Sequence, residues 1–227
     1  VVLTSSCSAV PTAPADTHEA PGTEESWNFS ASETYNPYAY SKKLAEKEAW
    51  KIADAQEQYK LVVVNPAWVH GPGIKASAGN ESFAFIKMMG DGAMKSGCAN
   101  MGFWVVDVRD VAKAHVAAAF TEKAEGRHII SGHNTTLPAI AAAIRTKFPE
   151  YPLPEKCFPK SIVYLLAPYI GMTRKMVWRG VNVEAKMDNS KSIKDLKMEY
   201  HSLEATFQDM FQQMVDAGMI NSPKPKK

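Results

Sequence analysis

Leu-Val-Val-Val at 61–64 is an uninterrupted apolar run, largely β-branched, and Asn65 and Pro66 end it. A strand that is apolar on both faces belongs in a sheet covered on both sides, which is how parallel sheets are buried. What precedes it narrows the choice further. A helix is expected over about Tyr38–Gln58: Ala45, Ala49, Ile52 and Ala53 recur on one face at helical spacing, and Lys, Glu and Gln fill the other. Before that helix, residues 7–37 are rich in Pro, Thr, Ser, Ala and Glu and read as a long loop, a feature that inside a compact domain is usually functional. The chain opens on "VVLTSS" (1–6), a second buried strand. Strand, loop, helix, strand is a crossover connection, which implies parallel pairing and an α/β sheet.

The pattern continues along the chain. "FWVVDVRDVAKAHVAAAF" reads as a short strand passing into a helix at about Val108, and "GRHIISG" (126–132) as another strand. Helices are expected at 80–95, 136–148, 160–170 and 202–217. Pro149, Pro152 and Pro154 punctuate the chain after the last strand, and the remainder is mainly helical. The expected division is a main α/β domain over 1–135 and a smaller lobe, with a basic tail "NSPKPKK", over 136–227. Because the first strand begins at Val1 with no lead-in, the chain is expected to be the later part of a longer protein.

Composition excludes several classes. A net charge of +2 over 227 residues makes no electrostatic case for nucleic acid or a membrane surface. No apolar run approaches the length that spans a bilayer. Cys7, Cys98 and Cys157 are odd in number and unpatterned, which argues against a disulfide framework or a metal site and for a reducing, cytoplasmic setting.

In open α/β sheets, ligands sit at the carboxyl ends of the strands. Three polar features fall there: Thr4-Ser5-Ser6, the pair Tyr38 and Lys42 at the mouth of the helix, and Asn65-Pro66. With 8 Tyr in the chain, one Tyr-x-x-x-Lys is expected by chance, so the pair alone is a weak motif. Its chemistry is nevertheless specific. A phenol is a poor acid–base group at neutral pH; an ammonium one helical turn away, on the same face, favours its ionised form. A serine hydroxyl meeting that pair would bind a substrate carbonyl oxygen while the phenol exchanges its proton.

Longer motifs carry a resemblance. "VVLTSSCSAV", "ESW" at 25–27, "YAYSKKLAEKEAW", "NPAWVHGPG", "VDVRDVAKAH" at 106–115 and "DNSKSIKDL" at 188–196 together resemble the extended short-chain dehydrogenase/reductase superfamily. The nearest group within it holds the dihydroflavonol, cinnamoyl-CoA and yeast methylglyoxal/ketone reductases. The resemblance implies a doubly wound, Rossmann-like parallel sheet with a small helical substrate lobe. It implies NADP(H)-dependent reduction of a ketone or aldehyde, or the reverse oxidation, with NAD as the alternative cofactor. It also implies Tyr38 as the acid–base group, Lys42 as its electrostatic partner and ribose ligand, and Ser6 as the carbonyl-orienting hydroxyl. Pro66, Ala67, Trp68 and Val69 would line the nicotinamide side, and Ser82 matches a cofactor-contacting serine. A small carbonyl or alcohol is the implied partner, and a homodimer is implied by the resemblance alone. The family's Gly-x-x-Gly-x-x-Gly turn after its first strand has no counterpart in this sequence. The Gly pairs of "MMGDGAMKSG" (88–97) have the wrong spacing and no strand before them. Cofactor affinity of these 227 residues alone is therefore expected to be weak. The same triad serves sugar-nucleotide epimerases and hydroxysteroid dehydrogenases, and a cofactor-free binding module is the remaining alternative.

Other side chains are ambiguous in sequence. Arg109 and Asp110 are expected to form a structural ion pair or to serve as helix-start charges. His70 either touches substrate or faces solvent. Met88, Met89, Met94 and Met101 are expected to pack or to line a pocket. His115 and Cys7 are expected to be structural.

Overall fold

The computed structural model describes residues 1–77 and 79–221, so the basic tail from residue 222 onward lies outside the described residues. Strands β1 (Val2–Thr4), β2 (Val62–Pro66) and β5 (Gly126–Ile130) form a parallel sheet with β2 in the centre. All five residues of β2 are buried, and their alternation explains why. Val63 packs with Leu3 and Leu61 against Ala49, Trp50 and Ala53 of α1 (Pro37–Asp54). Val62 and Val64 point the other way, onto Ala114 and Ala118 of α3 (Val108–Phe120). A helix covers each face, so each face of the strand must be apolar. This is the expected α/β class, with helices on both sides of a parallel sheet.

The start of α1 is set locally. Asn36 adopts the left-handed conformation at φ 53° and accepts the Ala39 N–H at 3.2 Å, and Pro37, whose φ is pre-set for a helix, occupies the first turn. The buried face of this helix matches the apolar spacing only in part: Ala49 and Ala53 pack inward as expected, but Ala45 and Ile52 do not. Ile52 is 56% exposed, whereas Glu46 is buried along with Ala39 and Ala53. Glu46 is held inside by Arg127, whose Nε donates to Oε1 at 2.5 Å. A carboxylate meets the cost of burial only with such a partner.

The chain steps from this sheet into a second one with little connection. After Pro66, only Ala67 separates β2 from β3 (Trp68–His70). Strand β3 runs parallel to β4 (Gly102–Asp107), which pairs antiparallel with β6 (His133–Thr136). The Ala67 N–H donates to the Ile130 carbonyl and the Gly132 N–H to the Val105 carbonyl, both at 2.9 Å, and these bonds stitch the two sheets together. Against the second sheet lie α2 (Glu81–Gly90), α4 (Leu137–Arg145) and α8 (Leu203–Asp216). Ile86, Met89, Ile140, Ile144, Phe207, Met210, Phe211 and Met214 are inaccessible there. Helix α2 stops short of the expected residue 95. Gly92, at φ +84°, turns the chain, and Gly90 lies so close to Phe211 and Ile220 that a Cβ would meet them at 3.0 Å.

Helices α5 (Lys160–Leu166) and α6 (Arg174–Gly180), joined by a 3-10 turn, enclose a separate small core of Val163, Ala167, Val177 and Val181. Helix α7 (Ser190–Leu196) sits beside β5, where Lys191 Nζ donates to the Glu125 and Arg127 carbonyls at 3.0 and 2.9 Å. Among the described residues no helix is long and apolar enough to cross a membrane.

Candidate active site

An open cleft of about 1310 Å³ runs along the carboxyl ends of β1, β2 and β3. Ser6, Tyr38, Lys42, Pro66, Ala67, Trp68, Val69 and Ser82, the eight residues singled out in the sequence, all line it. Different elements bring them together. Ser6 follows β1 and caps a one-turn 3-10 helix, its Oγ accepting the Ser8 N–H at 3.1 Å. Tyr38 is the second residue of α1, 58% exposed to the cleft. Lys42, one turn on, places Nζ 5.8 Å from the centre of the Tyr38 ring. Pro66 is the last residue of β2, and Trp68 and Val69 follow on β3. The Ser82 hydroxyl donates to the Val69 carbonyl at 2.7 Å, which ties the first turn of α2 to the strand that carries Trp68.

Strand alternation separates the two adjacent serines. Both border the cleft, but Ser5 is buried and its Oγ donates to Glu46 Oε2 at 2.5 Å, while Ser6, one residue on, is half-buried and makes no bond to that carboxylate. Glu46 Oε2 also accepts the side-chain amide of Asn65 at 2.7 Å. One carboxylate on α1 therefore joins the ends of β1 and β2 beneath Tyr38 and Lys42. Arg127 completes the cluster from β5. Its Nη1 donates to the carbonyls of Glu24 and Ser26 at 2.8 and 2.6 Å, and Trp27 stacks on its guanidinium at 4.1 Å. This docking gives the "ESW" stretch a physical role: it anchors the long loop to the sheet. The sequence did not reveal the cluster, because Glu46 and Arg127 lie 81 residues apart and carry no local signal.

The far wall of the cleft comes from α6. Thr173, Met176 and Gly180 line it, with Met101, Gly102 and Phe103 beside them. Arg179 of α6 forms an ion pair with Asp16, and Lys175 lies 3.5 Å from the centre of the Tyr35 ring, so the long loop and α6 are held together.

Three ambiguous side chains are now placed. His70 does not face solvent, although it borders the floor of the cleft. It is 1% exposed, packed between Trp68 and Phe207 at 4.4 and 4.7 Å, and burial pushes its pKa down to about 3. Arg109 does not pair with Asp110. It makes a bidentate contact with Asp107 (2.9 and 2.7 Å) and reaches Asp209 of α8 at 2.8 Å, while Asp110 accepts His201 Nδ1 at 2.6 Å. Burial raises the Asp107 carboxyl, but the hydrogen bonds from Arg109 outweigh it and hold the group below the usual carboxylate value. Cys7 is buried, donates to the Asn65 carbonyl at 3.1 Å, and has its thiol pKa driven up by burial.

The model of the NAD dependent epimerase/dehydratase family matches residues 1–131. Over 204 residues the chain is 35% identical to cinnamoyl-CoA reductase 2 of Arabidopsis thaliana, covering 88% of this chain and 60% of that protein. It is 29% identical to a putative NADPH-dependent methylglyoxal reductase of Candida albicans, over 95% of this chain and 62% of that protein. Among solved structures, the yeast methylglyoxal/isovaleraldehyde reductase Gre2 complexed with NADPH superposes with a TM-score of 0.73 at 26% identity, over 97% of this chain and 65% of that one. The chain thus spans about 60% of the length of the curated relatives it matches. A family model covering more than half the residues, on a parallel sheet whose strand ends open into one cleft, leads to a single assignment: the chain belongs to the NAD dependent epimerase/dehydratase family.

Proposed function

We propose that this chain carries the catalytic half of an NADPH-dependent reductase that converts a small ketone or aldehyde to an alcohol. The observation that supports it is that Ser6, Tyr38 and Lys42 all line one cleft together with the apolar stretch Pro66–Val69, with Lys42 Nζ 5.8 Å from the centre of the Tyr38 ring. The donor set suits the nicotinamide-ribose half of a dinucleotide. It offers an ammonium and a phenol for hydroxyls, and a proline–alanine–tryptophan–valine surface for a flat ring. The dinucleotide supplies the hydride. The rest belongs to the protein. The Ser6 hydroxyl donates to the carbonyl oxygen and fixes its direction. The Tyr38 phenol gives its proton to that oxygen as negative charge develops on it. The Lys42 ammonium stabilises the phenolate that remains and donates to the ribose hydroxyls. In this reading residues 1–135 form the cofactor side of the cleft, and α6, within 136–227, forms the substrate side. Met101, Phe103 and Met176 make that side apolar, which favours an uncharged organic carbonyl.

The test is Tyr38→Phe in the full-length protein, followed by oxidation of NADPH in the presence of a panel of aldehydes and ketones. Removing a general acid of this kind lowers kcat by about 10²–10⁴. The exposed ring stays in place, so circular dichroism should be unchanged. A variant that retained near-wild-type turnover would remove Tyr38 from the reaction.

A further inference from the structure

Cys98 and Cys157 are 59 residues apart in sequence and adjacent in space. Cys98 lies in the segment between α2 and β4, and Cys157 in the segment that leads into α5. The two segments meet as a single parallel bridge with these residues opposite one another. Two backbone hydrogen bonds fix it: the Cys98 N–H to the Lys156 carbonyl and the Phe158 N–H to the Cys98 carbonyl, each 2.9 Å. Gly97 makes the approach possible. At φ +144° it has the backbone freedom of glycine, and a Cβ there would meet the Phe158 ring at 3.0 Å. Paired strands run about 4.8 Å apart, which falls within the Cα separation of about 4.4–6.8 Å that a disulfide spans.

We propose that Cys98 and Cys157 are a site of reversible disulfide formation that clasps the α5–α6 hairpin to the segment entering β4. Both are free thiols here, Cys157 exposed and Cys98 buried. The geometry assigns them different roles. Burial, helped by the neighbouring Cys157, raises the Cys98 thiol to about 11, so Cys98 is a poor first nucleophile. Exposed Cys157 is the entry point. With glutathione disulfide as oxidant, the Cys157 thiolate attacks one sulfur, forms a mixed disulfide and releases one glutathione thiolate. Cys98 then loses its proton to solvent and attacks the Cys157 sulfur, releasing the second glutathione. Two protein thiols are oxidised and one disulfide is reduced.

The clasp adjoins the cleft on both sides. Met101, Gly102 and Phe103, a few residues past Cys98, line it. Past Cys157, α5 contributes Val163 to the core that Ala99 and Met101 share with Val177 of α6, and α6 forms the opposite wall. Oxidation would fix this wall covalently without touching Ser6, Tyr38 or Lys42.

The experiment uses the reduced 227-residue chain, native, incubated with glutathione disulfide and analysed by thiol titration, intact mass and peptide mapping. The expected result is loss of two of its three thiols, a mass lower by two hydrogens with no glutathione retained, a Cys98–Cys157 cross-linked peptide, and full reversal by dithiothreitol. In Cys98→Ser, glutathione should instead remain on Cys157. Three surviving thiols, a stable glutathione adduct on Cys157 of the unmutated chain, or a bridge that includes Cys7 would each overturn the proposal.

Discussion

Ser5 and Ser6 are adjacent, chemically identical and physically opposite. Both follow β1 at the edge of the cleft, but the Ser5 hydroxyl is engaged inside by Glu46, whereas the Ser6 hydroxyl only caps the one-turn 3-10 helix. The two alanine substitutions should therefore separate stability from turnover. Ser5→Ala leaves a buried carboxylate short of one donor and should cost about 1–3 kcal/mol in urea unfolding. Its effect on catalysis should be secondary. Ser6→Ala removes only the cap of a one-turn helix, so stability should fall by roughly 1 kcal/mol or less. In the proposed reaction it should lower kcat by at least about tenfold, because that mechanism loses one oriented donor to the developing oxyanion. If Ser5→Ala were the variant that lost turnover with its stability intact, the assignment of the two hydroxyls would be reversed. Sequence alone placed both at the right strand end. It could distinguish them only through family resemblance, since the fold decides which side of the pleat faces Glu46.

Elements with a strong periodic signal were legible, and those without one were not. The apolar run before Pro66 and the alternating strand-to-helix stretch at 102–120 lie where their sequences suggested. Strand β3 is three residues hidden between Pro66 and a Gly-Pro-Gly turn, and β6 is the polar stretch His-Asn-Thr-Thr; neither has a pattern of its own. Helices α6 and α7 have seven residues each, too few for a period to emerge. The instructive departure is on α1, where Ala49 and Ala53 pack inward as their spacing suggested but one charged residue joins them. Apolar spacing pointed to Ile52, yet Glu46 is inside, because its partners come from β1, β2 and β5. That arrangement predicts strong coupling. Glu46→Leu strands the Arg127 guanidinium, which is 6% exposed as a residue, and should cost about 3–5 kcal/mol. Arg127→Met should cost a similar amount. The double variant should recover part of the loss, so the two single effects should exceed the double effect in a urea-unfolding cycle. Additive effects would mean that the pair is not a unit.

Across the whole molecule, two buried histidines set the acid limit. His70 lies between Trp68 and Phe207 against the core of α2, α4 and α8, and His128 lies on β5 in the parallel sheet. Burial lowers the first to about 3. Burial, reinforced by Lys191 and only partly opposed by Asp195, lowers the second to about 4. Both are neutral in the folded protein at pH 5, whereas in the unfolded chain each binds a proton below its ordinary value of 6.5. The unfolded state therefore holds more protons in this window, and stability rises with pH. The contribution is complete above about pH 6.5 and is lost as pH falls toward 4, at up to about 1.4 kcal/mol per histidine for each pH unit. Asp107, held low, loses its contribution only in the carboxylate range. Glu24, raised by burial, acts with the opposite sign just above 4.5. Neither mimics a loss that begins at pH 6.5. The thermal midpoint should thus fall steeply between pH 6.5 and pH 5. His70→Leu removes one of the two titrating groups from the balance, since leucine has no proton to take up in the unfolded chain. Its pH dependence over that interval should be about half as steep as that of the unmutated protein. A midpoint that stayed level from pH 7 to pH 5, or a His70→Leu slope equal to the original, would show that neither core is acid-limited by its histidine.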